Sequence, residues 1–88
     1  MAAAIDIARA QSSLQDDAEA SRVFQFILNR SAAPGWMIVK ELGQEPETTE
    51  SSLIKLRGLG LLEANGDGLD GFYHSTSLGY ALKEVGQL

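Results

Sequence analysis

The apolar positions of this chain fall mostly at helical spacing. Residues 2–21, AAAIDIARAQSSLQDDAEAS, contain no Gly or Pro, and their larger apolar residues are only Ile5, Ile7 and Leu14. That pattern predicts a weakly amphipathic helix, which needs a partner surface to be stable. Ser21 reads as the N-cap of a second helix over 22–30, where Val23, Phe24, Ile27 and Leu28 make one broad apolar face. SAAPG then reads as a turn, because Pro34 disfavours helical backbone at Ala33 and Gly35 supplies flexibility. WMIVKELG predicts a short helix, with Met37 or Ile38 inward beside Leu42 and Gly43 as its stop.

Residues 47–60 predict a further helix. Pro46 suits its first turn, Glu47 and Glu50 favour the positive end of its dipole, and Leu53 and Leu56, with Ile54 beside them, make one side apolar. LLEA reads as a strand, NGDGLDG as a flexible connection and FYHSTS as the returning strand. LGYALKEVGQL closes the chain as a helix, capped by Thr76 or Ser77.

Composition narrows the chemistry. At 88 residues, folding buries about 60–65% of the unfolded surface, enough for one modest core. The chain has no cysteine and one histidine, which removes disulfides, thiolate catalysis and zinc–thiolate sites, and no metal or other cofactor is expected. The longest apolar runs are four residues, against about 20 for a membrane span. MAAAIDIARA has no basic stretch ahead of an apolar one, so no secretory signal and a cytoplasmic location are expected. The net charge is −5, of which residues 1–21 carry −3 and residues 22–88 carry −2. An acidic balance opposes non-specific DNA affinity, because such affinity comes from cations releasing the counterions of DNA.

The order helix, short helix, turn, helix, two strands, helix is that of a winged helix-turn-helix domain. The stretch TTESSLIKLRGLGLLEANGDGLDGFYHSTSLGYAL resembles the MarR-like and ArsR-like transcriptional regulators. The residues that carry the likeness are Leu53 and Leu56, then Gly60, Leu61, Leu62 and Glu63, then Tyr73, Thr76 and Gly79. It covers roughly residues 22–85. The resemblance implies an α+β, mainly α fold: a three-helix core, a β-hairpin wing and flanking N- and C-terminal helices. Residues 1–20 would form a helical extension and 21–88 the domain. Two positions depart from the family pattern. Ser75 stands where an apolar residue is usual, so either Phe72 or Tyr73 can be the inward residue. Glu45, Glu47 and Glu50 surround the helix end that should approach phosphate.

The resemblance implies that the helix from about Glu47 to Arg57 enters the DNA major groove. With Leu53 and Leu56 inward, it would present Thr48, Ser51, Ser52 and Lys55, with Thr49 and Arg57 at the margins. Asn65, Gly66, Gly68 and His74 are the wing candidates. A small domain makes few contacts, so a homodimer is expected, through Ile5, Ile7 and Leu14 and the last helix. The alternative is an acidic adaptor that binds a protein through the acidic helix face and the Ala-rich N-terminal helix and does not bind DNA. The two differ in whether Arg22, Arg30, Lys40, Lys55 and Arg57 converge on one face.

Other motifs have plainer readings. The G-x-G-x-x-G of residues 66–71 links two strands, whereas dinucleotide binding needs it between a strand and a helix. An EF-hand loop begun at Asn65 would need Glu where Thr76 stands. His74, Ser75, Ser77 and Asp70 hold the letters of a catalytic triad within one hairpin, where alternating faces keep them apart, and no enzyme is expected. Trp36 is either a lid on the core or an exposed anchor for a partner.

Overall fold

The computed structural model describes residues 4–84, with side chains described from Ile7 onward. It is mainly helical, with a small antiparallel sheet of three strands. The Ala-rich start forms α1 (Ala4–Gln15), and α2 (Ala18–Arg30) follows after a two-residue break. Asp17, not Ser21, caps α2: its carboxylate accepts from the Ala20 N–H at 3.0 Å, while the Ser21 hydroxyl donates back to the Leu14 carbonyl at 2.9 Å. Asp17 stands directly ahead of Ala18-Glu19-Ala20, which are good helix formers, so the helix begins four residues earlier than a Ser21 cap would allow. α1 is no loose extension. Ala10 and Leu14 are buried in the same core as Phe24, Ile27, Leu53 and Leu82.

After α2 the chain reverses at Ser31, whose φ of 71° is the one positive value outside glycine among the described residues. SAAPG is more than a turn, because Ala32–Pro34 is strand β1. A residue before proline is pushed to extended backbone, and Pro34, lacking an N–H, is tolerated on a sheet edge. α3 (Gly35–Leu42) follows, with Ile38 as its inward residue, and ends where Gly43 adopts φ 64° and donates to the Val39 carbonyl at 2.9 Å. Then comes α4 (Pro46–Gly58), with Pro46 in its first turn.

Strands β2 (Leu62–Asn65) and β3 (Phe72–Ser75) pair antiparallel, and β1 takes the other side of β3, giving the order β1-β3-β2. The register settles the open question of β3. Tyr73 is buried opposite Ala33 and Ala64, and Phe72 is 46% exposed opposite Pro34 and Asn65. A buried tyrosine needs a partner for its hydroxyl, and Tyr73 donates to the Gly68 carbonyl at 2.7 Å. Burial also pushes this phenol above its ordinary range.

Ser75 is buried because the space beyond it is small. A β-carbon on Gly79 would overlap Ser75 Oγ, stand 2.9 Å from the Leu61 carbonyl oxygen and stand 3.2 Å from the Phe24 ring. Serine and glycine together let α5 (Ser77–Glu84) close against the Phe24 ring of α2, the sheet and α1. Thr76 is the cap of α5: its hydroxyl accepts from the Gly79 N–H at 3.2 Å and donates to the Gly60 carbonyl at 2.5 Å.

The 65–71 connection is not a free flap. Gly66 and Gly68 take φ of 89° and 61°, and Gly68–Asp70 forms a 3-10 turn packed against α3 and α4. It is held by Gly35 N–H donating to the Gly71 carbonyl at 3.0 Å and by the Tyr73 hydroxyl. Arg57 also reaches Asp67 at 3.3 Å, but Asp67 is almost fully exposed, so this pair adds little. Three glycines therefore serve a tight fold-back here rather than mobility. Among the described residues, no helix is long and apolar enough to cross a membrane.

Candidate interaction site on the outer face of α4

The inward stripe of α4 is Thr49, Ser52, Leu53 and Leu56, which have the i, i+3, i+4, i+7 spacing of a single helix face. Ser52, expected on the outer face, and Thr49, expected at its margin, therefore point the other way. Thr49 is buried and donates to the Gln44 side-chain oxygen at 3.0 Å, and Ser52 is all but buried. Ile54, expected beside the leucines, lies one hundred degrees round the helix from Leu53 and is 66% exposed. Outside stand Glu47, Glu50, Ser51, Ile54 and Arg57, all exposed, with Thr48 and Lys55 half-buried at the edge.

Beside this face runs a groove of about 420 Å³ between α4 and the start of α2, lined by Asp17, Glu19, Glu47, Thr48, Ser51, Ser52 and Lys55. Its walls carry three carboxylates against one ammonium. That ammonium is engaged internally: Lys55 Nζ lies 2.8 Å from Asp17 Oδ2 and donates to the Ser13 carbonyl at 3.2 Å. One lysine of α4 thus joins the end of α1 to the cap of α2. The Lys55 hydrogen bond, and then the Ala20 N–H, hold the Asp17 carboxyl below its ordinary range.

This latch has a pH signature. A lowered folded-state pKa contributes stability that is present above the unfolded value, about 3.9, and is lost as pH falls through the folded value. Asp17→Asn keeps a capping oxygen but removes the charge. It is expected to cost about 0.5–1 kcal/mol at pH 7, a small figure because the ammonium is partly solvated. Urea unfolding of both proteins from pH 7 to pH 3 checks this. The gap should narrow toward the acid end, as the pH falls below the unfolded value.

Of the other basic residues, Arg30 is engaged between α2 and α3. Arg30 pairs with Glu41 at 3.3 Å and stacks over the Phe26 ring, 4.7 Å from its centroid. Arg22 and Lys40 are exposed on α2 and α3. Of the wing candidates, Asn65 and Gly66 are exposed, Gly68 lies beneath the Glu50 carboxylate, and His74 faces Glu63 across the strand pair at 3.2 Å. Among the dimerisation candidates, Leu14 is buried in its own chain and so unavailable to a second copy. Ile7 is half-buried against the core, and the Ile5 side chain lies outside the described ones. Trp36, 53% exposed, is no lid.

Sequence reasoning missed Ile54, Asp17 and Glu19 as parts of this surface. Extending the Leu53–Leu56 stripe by one turn to Thr49 would have placed Ile54 outside. The approach of Asp17 to Lys55 had no local signal, since 38 residues separate them. Comparisons with protein-family models, with curated proteins and with solved structures give no match.

Proposed function

We propose that this chain is an acidic interaction module of winged-helix type that binds a protein through the outer face of α4 and does not bind DNA. The observation that carries this reading is the state of the cations. Lys55 is held by Asp17 and Ser13, Arg57 faces Asp67, and the adjoining groove is net negative. A surface that neutralises phosphates needs cations facing outward in excess, since each phosphate contact works by displacing counterions. An exposed isoleucine amid carboxylates suits a protein surface instead.

A second reading, DNA recognition as a dimer, is favoured by one feature. α3 and α4 are joined by the three residues 43–45, the spacing of a helix-turn-helix. In that reading Thr48, Ser51 and Arg57 are the groups left to meet DNA.

Mobility shift with random duplex DNA at low salt separates the two. The wild type at micromolar concentration is expected to leave the DNA unretarded, and Lys55→Glu and Arg57→Glu to change nothing. Retardation by the wild type that either reversal abolishes overturns the protein-binding reading.

A further inference from the structure

We propose that the occupant of the α4 face is a basic amphipathic helix of a partner protein, its apolar side seated on Ile54 and its Lys or Arg side chains set against Glu47, Glu50 and the groove carboxylates. This rests on the protein-binding reading above and names the chemistry of the partner.

The face is built around one apolar point. Ile54 is the most exposed large apolar side chain among the described residues, and it stands in the middle of a 13-residue helix. Its neighbours one turn back are Glu50 and Ser51, with Glu47 a turn further. One turn ahead are Arg57, turned toward Asp67, and Gly58, which has no side chain and open space beyond it. None of the described residues covers Ile54, which is 66% exposed, and the glycine leaves its C-terminal flank open to an incoming helix.

Charge complementarity selects that occupant. A second copy of this chain, docked by a two-fold axis, would bring only Arg57 to set against Glu47, Glu50 and the groove carboxylates, since Lys55 is already paired. A phosphate backbone is repelled by the same carboxylates. A cationic side chain reaching past Ser51 enters the groove between Asp17, Glu19 and Glu47, where only Lys55 opposes it and Lys55 is already paired with Asp17. Ile54 supplies the area that loses water, and the carboxylates orient the partner. A 13-residue helix is about 20 Å long, so the contact falls short of the ~800 Å² per partner of a standard interface. Binding should therefore be micromolar and weaken with salt.

The test is a backbone amide NMR titration of the full chain with two synthetic 14-residue helical peptides. One carries leucine on one face and lysine on the other, and the second has glutamate in place of lysine. The lysine peptide is expected to give saturable shifts at Ser51, Ile54, Lys55, Arg57 and Gly58, and the glutamate peptide at least tenfold weaker binding. Ile54→Ser, at an exposed position that should leave the melting temperature unchanged, is expected to weaken the lysine peptide about tenfold. Paired Glu47→Gln and Glu50→Gln should remove most of the salt dependence.

Equal binding by wild type and Ile54→Ser overturns the proposal, as does no saturable shift at millimolar peptide. Shifts gathered on Trp36 and Phe72 overturn the α4 face while leaving protein binding standing. Duplex DNA that shifts the α4 amides when neither peptide does overturns both.

Discussion

Gly79→Ala is expected to destabilise the protein by about 3 kcal/mol, because a single methyl group has nowhere to go. The added carbon overlaps Ser75 Oγ, and moving that hydroxyl does not help, since the Leu61 carbonyl oxygen stands 2.9 Å away on the main chain and the Phe24 ring 3.2 Å away. α5 must lift off α2, and Leu82 on α5 leaves the core with it. A domain of this size has a total stability of roughly 0.05–0.15 kcal/mol per residue, so the loss is a large fraction of the whole. At about 4–8 °C per kcal/mol, the melting temperature should fall by well over 10 °C. Gly58→Ala is the internal contrast. It places the same methyl at the end of α4 with nothing within 4 Å, so helix propensity gives it a neutral or slightly stabilising effect, up to about 0.5 kcal/mol. Thermal unfolding of both variants checks the sign and the size. A Gly79→Ala protein that melts with the wild type removes the close packing of α5 on α2.

Gly35→Ala should be nearly as costly, about 2 kcal/mol, and its effect should be concentrated at the 65–71 connection. The new carbon would stand 2.8 Å from Leu69 Cα, 3.0 Å from the Leu69 carbonyl oxygen and 3.1 Å from that of Gly68. All three are main-chain atoms, so the 3-10 turn must move as a unit away from α3. Its bonds to the body, Gly35 N–H to Gly71 and the Tyr73 hydroxyl to Gly68, lengthen together. Amide exchange should therefore quicken at residue 35, whose N–H donates to the Gly71 carbonyl, while amides of α2 lose protection only by the global amount. Unchanged exchange at residue 35 would mean that the connection is not anchored on α3.

Much of the helical framework was legible in the sequence. Phe24, Ile27 and Leu28 repeat with the period of a helix and are buried, Gly43 ends α3, and Leu53 and Leu56 face the core. Thr76 caps α5 through chemistry local to its own turn. Each of these rests on interactions within about four residues, where propensity and periodicity act. The candidate site was legible only in part. Ser51 and Thr48 do border the groove, but polar character alone put Thr49 and Ser52 on the outside. Thr49 hides its hydroxyl with little penalty by bonding the Gln44 side-chain oxygen, while Ser52, carried inward by the same stripe, lies at the floor of the groove.

The amino-acid order alone determined an acidic chain without cysteine, its helices, and two strands separated by glycines, because charge, period and turn chemistry are read residue by residue. The three-dimensional packing decided the rest. It made Ala32–Pro34 a strand by supplying β3 as its partner, chose Tyr73 over Phe72 by offering the Gly68 carbonyl, and turned Lys55 inward by bringing Asp17 to it across 38 residues. These outcomes depend on which distant groups meet, and no local pattern encodes such meetings.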